Sequence, residues 1–234
     1  MSANIIVSYD GTANEDDAIA LGRQFAHAGA TVSLAYVRHT HEPDSDRETL
    51  AQNEAEELLE RGARRFGSAD IARHVVTDRS TPEGLRALAE REGADMIVFC
   101  SDSHTAKGHI AIGNSAERLL EGGRSAIAIA PAGLAERGEQ ARLQRIVAVG
   151  DGDAGRGARA TAEALAAAVG ATVEPVAGES TDLLVVDSRP EAPAGQISIS
   201  SSAAHLIEIA TCSVLVVPRG VTLPFGSRAA ALTA

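Results

Sequence analysis

His39-x-His41, followed by Glu42 and Asp44, has the composition of a metal site at the end of an apolar run. Ligation of a metal such as zinc takes further groups at ligand spacing, and no cysteine pair or second histidine cluster supplies them. The segment is read as a solvated polar loop. His104 and His109 have the chemistry of an acid or a base, yet no nucleophile is arranged with them, so they are read as surface residues. Cys100 ends the run MIVFC, where a thiol is either reactive or an inert, buried small side chain. Asp10 closes the run IIVSYD. An aspartate at such a strand-to-loop junction caps a turn or the next helix, or offers its carboxylate to a ligand hydroxyl. The segment SISSS, Ser198 to Ser202, presents hydroxyls that either meet a phosphate or cap a helix.

The elements that would position these groups come from a duplication. Asn4 to Val37 returns as Arg145 to Val176 at an offset of 141, with Asp10-Gly11 falling on Asp151-Gly152. Ala94 to Pro131 returns as Thr181 to Pro218, but the offset is then 87, so 54 residues are missing from the second copy. Repetition at this scale sets the architecture.

In the first copy short apolar runs alternate with longer amphipathic stretches, as in a parallel sheet with helical crossovers. Strands are predicted near 4–8, 32–37, 71–76, 95–99 and 125–130, and helices near 14–28, 46–66, 82–92 and 114–122. Ser45-x-x-Glu48 and Asn114-x-x-Glu117 read as capping boxes, and Thr81-Pro82 as a cap before a helix-opening proline. Leu58, Leu59, Gly62 and Phe66 continue an apolar stripe. The second copy supplies strands near 145–149, 172–176, 182–186 and 213–217, and helices near 155–169 and 201–210. Its deletion removes one strand and two helices. In a doubly wound sheet of order 3-2-1-4-5 that strand is an edge, so the core need not open. The crossover left behind is short for a parallel connection, and Pro175 lies in the preceding strand. That strand is therefore predicted to be short. The division is residues 1–131, a linker 132–144, residues 145–219, and a tail 220–234 without periodicity, read as loosely ordered.

A net charge of −11 over 234 residues repels phosphate backbones, and 3% aromatic residues with no Trp provide no stacking platform. Nucleic acid is therefore not expected as a partner. No uncharged apolar run approaches the length of a membrane span, and the N-terminus reaches Ile5-Ile6-Val7 without a basic region. A cytoplasmic chain without membrane contact is expected. Cys100 and Cys212 stand at non-equivalent positions of the two copies, which suggests no disulfide framework.

A first strand ending in Asp10-Gly11, Val37 at the end of the next, STPEGLRALAEREGADMIVFCS, and GNSAERLL leading to AIAIAP together resemble the universal stress protein family, in a tandem form whose second domain is truncated. The likeness covers Asn4 to Pro131 and Arg145 to Pro218. It implies two Rossmann-like α/β domains of the adenine nucleotide alpha hydrolase-like class, the first of order 3-2-1-4-5. Nucleotide-binding members carry a Gly-x2-Gly-x9-Gly-Ser/Thr loop whose glycines let backbone N–H groups approach phosphates at a helix N-terminus. By resemblance these positions fall on Cys100, Ser103, Gly113 and Asn114, with Ser101 and Ser115 as neighbouring hydroxyls. Asp10 would hold the ribose or adenine, and the backbone at Val37 the base edge. Only one of the three glycines is kept, and Asp102 adds a negative charge. In the second copy the loop positions are Asp187, Pro190 and Ser200-Ser201, all three glycines being lost. Ser8 to Thr12 is similar to the pyrophosphatase loop of related adenylating enzymes, but it lacks the paired glycines and the serine that follows them.

The sequence therefore supports a non-enzymatic stress-response module that binds ATP or a related adenine nucleotide weakly in the first copy. The alternative is a nucleotide-independent interaction protein with vestigial sites and an unidentified protein partner. The apolar runs Ala126–Ala130 and Val214–Val217 are expected to pair with each other as an internal pseudo-dimer, with further homodimerisation left open.

Overall fold

Nine short apolar runs form one continuous sheet in the computed structural model, which describes residues 2–12, 14–39, 44–140, 142–150 and 156–226. The first half runs β1 (Asn4–Ser8), α1 (Glu15–His27), β2 (Thr31–Arg38), α2 (Ser45–Phe66), β3 (Ala72–Thr77), α3 (Thr81–Glu92), β4 (Met96–Cys100), α4 (Asn114–Leu120) and β5 (Ala126–Ala130). A 3-10 segment, Ala135–Gln140, precedes β6 (Arg145–Val149), α5 (Arg156–Val169), β7 (Thr172–Glu174), β8 (Leu183–Asp187), α6 (Ser201–Glu208) and β9 (Ser213–Val217). The strand order is β3-β2-β1-β4-β5-β9-β8-β6-β7. The expected 3-2-1-4-5 order of the first half is present, and among the described residues the second half shows four strands with no counterpart of β3.

Successive strand residues point to opposite faces, and the core divides accordingly. Ile5, Val7, Met96 and Val98 pack with α1, α2 and α5 on one face. Ile6, Ile97 and Phe99 pack with α3, α4 and α6 on the other. All pairings are parallel except β5 with β9, where Ile127, Ala128 and Ile129 face Val216, Leu215 and Val214 antiparallel. The two runs expected to pair do so within the chain. Because that seam is antiparallel, the C-terminal strand ends of the two halves lie at opposite ends of the sheet.

Matched positions make matched bonds. The Asp95 carboxylate accepts the Asn4 N–H at 2.8 Å, and the Asp182 carboxylate accepts the Arg145 N–H at 2.9 Å. Each aspartate thus pins the start of the strand beside its own. In the second half this clamp, with the Arg145 Nε bond to the Ser180 carbonyl at 2.6 Å, secures the helix-free crossover from β7 to β8. β7 is three residues long, as Pro175 predicts.

Several cap expectations are corrected. Asp44, not Ser45, caps α2, accepting from the Asp46 and Arg47 N–H groups at 3.0 and 3.1 Å. Glu48 instead meets Arg38 at 2.8 Å, since Arg38 is only 6% exposed at the end of β2 and its charge requires a partner. α3 is preceded by Ser80, and Thr81 lies inside the helix. Gly113 precedes α4, Asn114 is its first residue, and the helix ends at Leu120. The described start of the tail is anchored at Leu223 and Phe225, and residues 227–234 lie outside the described residues. Leu223 is fully buried, its N–H donates to Thr161 Oγ1 at 3.1 Å, and the Phe225 ring stacks on Phe25 with centroids 5.7 Å apart. The Ala3 N–H donates to the Pro224 carbonyl at 3.0 Å, so the tail returns from the second half to the first strand.

Candidate functional site

Asp10 follows β1 and is exposed; its Oδ1 accepts the Thr12 N–H at 3.1 Å, the turn-capping bond expected of an aspartate here. It borders a groove of about 410 Å³ with Gly11, Tyr36, Arg38, His39 and Leu58. None of the loop residues after β4 lines that groove. Val37 is buried, and its rung with β1 is missing: β1 pairing ends at Ser8 opposite Ala35, while β2 continues along β3 to Arg38 opposite Thr77. Its backbone therefore lies past the last β1 rung, where a base edge could approach.

The loop from Cys100 to Ser115 is largely satisfied by its own chain. Ser101 is buried, its hydroxyl donates to the Ala130 carbonyl at 2.7 Å, and it accepts the Ala111 N–H at 3.4 Å. Ser188 makes the same pair of bonds in the second half, to the Val217 carbonyl at 2.8 Å and from the Ser198 N–H at 3.3 Å. Ser101 thus uses its hydroxyl to close the loop. The Asp102 N–H donates to the Ala111 carbonyl, the Gly108 N–H to Ala132, and the His104 N–H to Asp102 Oδ1. The Asn14 carboxamide donates to the Ser101 and Asp102 carbonyls at 3.3 and 2.8 Å, tying the loop to the start of α1. Several N–H groups that a phosphate would need are already engaged.

Gly113 differs from the rest of the loop. Its φ of −73° suits any residue, and a Cβ built on it meets nothing within 4 Å. Neither conformation nor packing requires a glycine there. Ser103, Asn114 and Ser115 lie on the same loop or at the start of α4, with Ser103 and Asn114 exposed and Ser115 partly so.

Cys100 faces the β1–α1 turn, with its sulfur 3.9 Å from Thr12 Oγ1. Burial, followed by the nearby Asp10 charge, pushes its thiol up to about 11. Burial does the same to Cys212. Against the ordinary thiol value of 9.0, the thiolate fraction near neutrality falls about a hundredfold. Alkylation of the folded protein at pH 8 should therefore be about a hundredfold slower than that of an unfolded control, followed by mass spectrometry. Labelling at the unfolded rate would contradict the burial of both thiols.

Two other groups complete this end of the first half, and sequence reasoning missed both. Glu15 accepts from the Gly11 N–H and from the Tyr9 hydroxyl. Burial raises its carboxyl despite those two donors, and burial followed by the Glu15 contact raises the Tyr9 phenol. Asn14 is the other. Its only sequence signal is a carboxamide just before a helix, which reads as a cap.

Ser103 Oγ lies 2.9 Å from His104 Nδ1, and Asp102 lies 3.8 Å from the same nitrogen. A nucleophile–base–carboxylate relay needs the two partners on different ring nitrogens, so these three exposed residues do not form one. His39 meets Thr81 Oγ1 at 3.3 Å. Of the other members of the metal-like motif, Asp44 caps α2, and His41 and Glu42 lie outside the described residues. Among the described residues no three His, Cys, Asp or Glu side chains come together to hold a metal.

The equivalent position in the second half is filled from within. Asp187, matching Cys100, is 5% exposed and accepts the Ala158 N–H at 3.0 Å and the Ser188 N–H at 2.9 Å, with Gly157 as a further donor. Its carboxylate occupies the positive N-terminus of α5. Gly157 must be glycine, because a Cβ there would lie 2.7 Å from the Val221 carbonyl oxygen and 3.1 Å from Asp187. Asp151 and Gly152 lie outside the described residues.

The family model of the universal stress protein family matches residues 1–131, and the chain belongs to that family. A universal stress protein from Archaeoglobus fulgidus superposes with a TM-score of 0.70 at 15% identity, covering 94% of this chain and 100% of that one. A protein provisionally named a universal stress protein, from Pseudomonas aeruginosa, superposes at 0.61 and 14% identity, over 92% and 93% of the two chains. Both likenesses concern the fold. No curated protein matches the chain in sequence. No helix among the described residues is long and apolar enough to cross a membrane.

Proposed function

We propose that the chain is a non-enzymatic stress-response module, a tandem form with a truncated second domain, that binds adenine nucleotide weakly and through the first half alone. Gly113 carries the reading: of the three glycine positions of the resembled loop it alone is still glycine, and the fold itself has no need of it. Asp10, at the rim of its groove, and the Val37 backbone would take the adenosine portion, while Gly113, Asn114 and Ser115 would face the phosphates. Cys100, Ser103 and the engaged N–H groups of the loop oppose a tight triphosphate site. In the second half the Asp187 carboxylate already holds the place of an anion, which argues for binding on one side only.

Calorimetry with ATP tests this. The expected result is one weak site, with a dissociation constant of about 0.1–1 mM, lost in Asp10→Ala and in Gly113→Ala. Gly113→Ala should leave thermal stability unchanged or slightly raised, since its backbone suits alanine. Cys100→Gly with Ser103→Gly should tighten binding. Binding that survives Asp10→Ala, or two sites per chain, would overturn the assignment. The self-satisfied loop favours a second reading, a nucleotide-independent interaction module with vestigial sites, and no heat of binding at millimolar ATP would select it.

A further inference from the structure

A groove of about 1050 Å³ runs between α1, the linker and α5, and it shares no residue with the groove beside Asp10. The apolar surface it presents comes from the half-buried Ala20, Ala168 and Val169, backed by buried Ile19 and Leu143. Its charge is lopsided. Of its two carboxylates among the described residues, Asp16 is 3.6 Å from Arg65, and Glu136 is held by Lys107 at 2.7 Å. Arg23 and Arg142 line the same groove, are exposed, and pair with no carboxylate among the described residues. Among the described residues two guanidinium groups thus stand without a carboxylate partner in this groove, on a chain of net charge −11. The linker wall is held in place. Buried Asp17 accepts the Gly133 and Ala135 N–H groups at 2.8 and 2.7 Å, and Leu134 and Leu143 are buried. A preformed concave surface with apolar lining and a few placed charges is what small-molecule sites share.

We propose that this groove binds a small amphipathic organic anion. Its carboxylate or phosphate head would meet Arg23 and Arg142, and its apolar body would lie against Ala20, Ala168 and Val169. A guanidinium binds either head group through paired N–H donors, and burying the apolar body adds the hydrophobic contribution. The proposal does not rest on the nucleotide reading.

Decanoate, decanol and succinate separate the two contributions on the full chain, with binding followed by calorimetry and located by amide chemical shifts. Decanoate is expected to saturate one site, with shifts at residues 19–27, 142–144 and 168–170, while decanol and succinate bind at least about tenfold more weakly. Decyl phosphate competing with decanoate would show that either head group is accepted. Arg23→Gln and Arg142→Gln should each weaken decanoate about tenfold, the discounted value for one exposed charge-assisted contact, with unfolding temperature unchanged. Equal binding of decanol, unchanged affinity in both variants, shifts confined to other residues, or no saturable binding would each overturn it. Displacement of decanoate by ATP that is lost in Asp10→Ala would also overturn it, because the two sites would then be one.

Discussion

Asp187→Ala is expected to lower the unfolding free energy by about 2–4 kcal/mol, the cost of leaving buried N–H donors without a charged acceptor, less the desolvation that the carboxylate no longer suffers. The donors at stake are Ala158, Ser188 and Gly157. The pH dependence has a definite sign. Burial outweighs those donors and raises the Asp187 carboxyl above its ordinary value. The folded state therefore binds this proton more tightly than the unfolded chain. The group's contribution is full below its unfolded value of about 3.9 and declines as pH rises through its folded value. The penalty for Asp187→Ala should accordingly be larger near pH 4 than at pH 7. Denaturant midpoints of both proteins at the two pH values measure it, and a penalty that grows with pH would mean that the donors outweigh burial. Asp187→Asn separates shape from charge. It retains one acceptor but turns an NH2 group toward N–H donors, so it should recover only part of the loss.

The role of Asp187 shows where sequence reading stops. Its position in the phosphate-loop frame was legible, and so was the conclusion that a carboxylate there opposes an anion. Its bonds to Gly157 and Ala158, about 30 residues earlier, were not legible, since they depend on β8 ending against the start of α5. The same limit explains Ser101. In sequence it is a free hydroxyl beside a ligand loop, whereas its bond to Ala130 exists only because β4 and β5 lie side by side. Strands were legible because apolar runs bounded by turn residues are local, and the duplication supplied the order. Caps shifted by one residue because the local preference for Ser45 over Asp44 is slight, while Glu48 was drawn away by buried Arg38 on another element. The tail escaped notice because Leu223 and Phe225 anchor it without any periodicity, and the groove beside Arg23 is assembled from three distant segments.

The seam between the halves should have the largest effect of all. Residues 1–131 made alone would keep a complete five-stranded sheet but end it on β5, whose residues are at most 1% exposed in the full chain. That edge would present unpaired backbone groups on a flat apolar strand, and such edges recruit another strand. The partner it loses is β9, which pairs antiparallel through Val214, Leu215 and Val216. An antiparallel partner can be replaced by a second copy of β5, because a two-fold axis through Ala128 would set each Ile127 opposite an Ile129. The fragment is therefore expected to be dimeric at micromolar concentration by light scattering, and Ala128→Lys in the fragment to shift it to monomer or to unfolded chain. In the full chain, Leu215→Asp places an unpaired charge at a fully buried position, which should cost about 4 kcal/mol or more and free the β5 edge in the same way. A fragment that stays monomeric and folded would show that β5 can tolerate exposure, and that the antiparallel seam contributes far less than its complete burial implies.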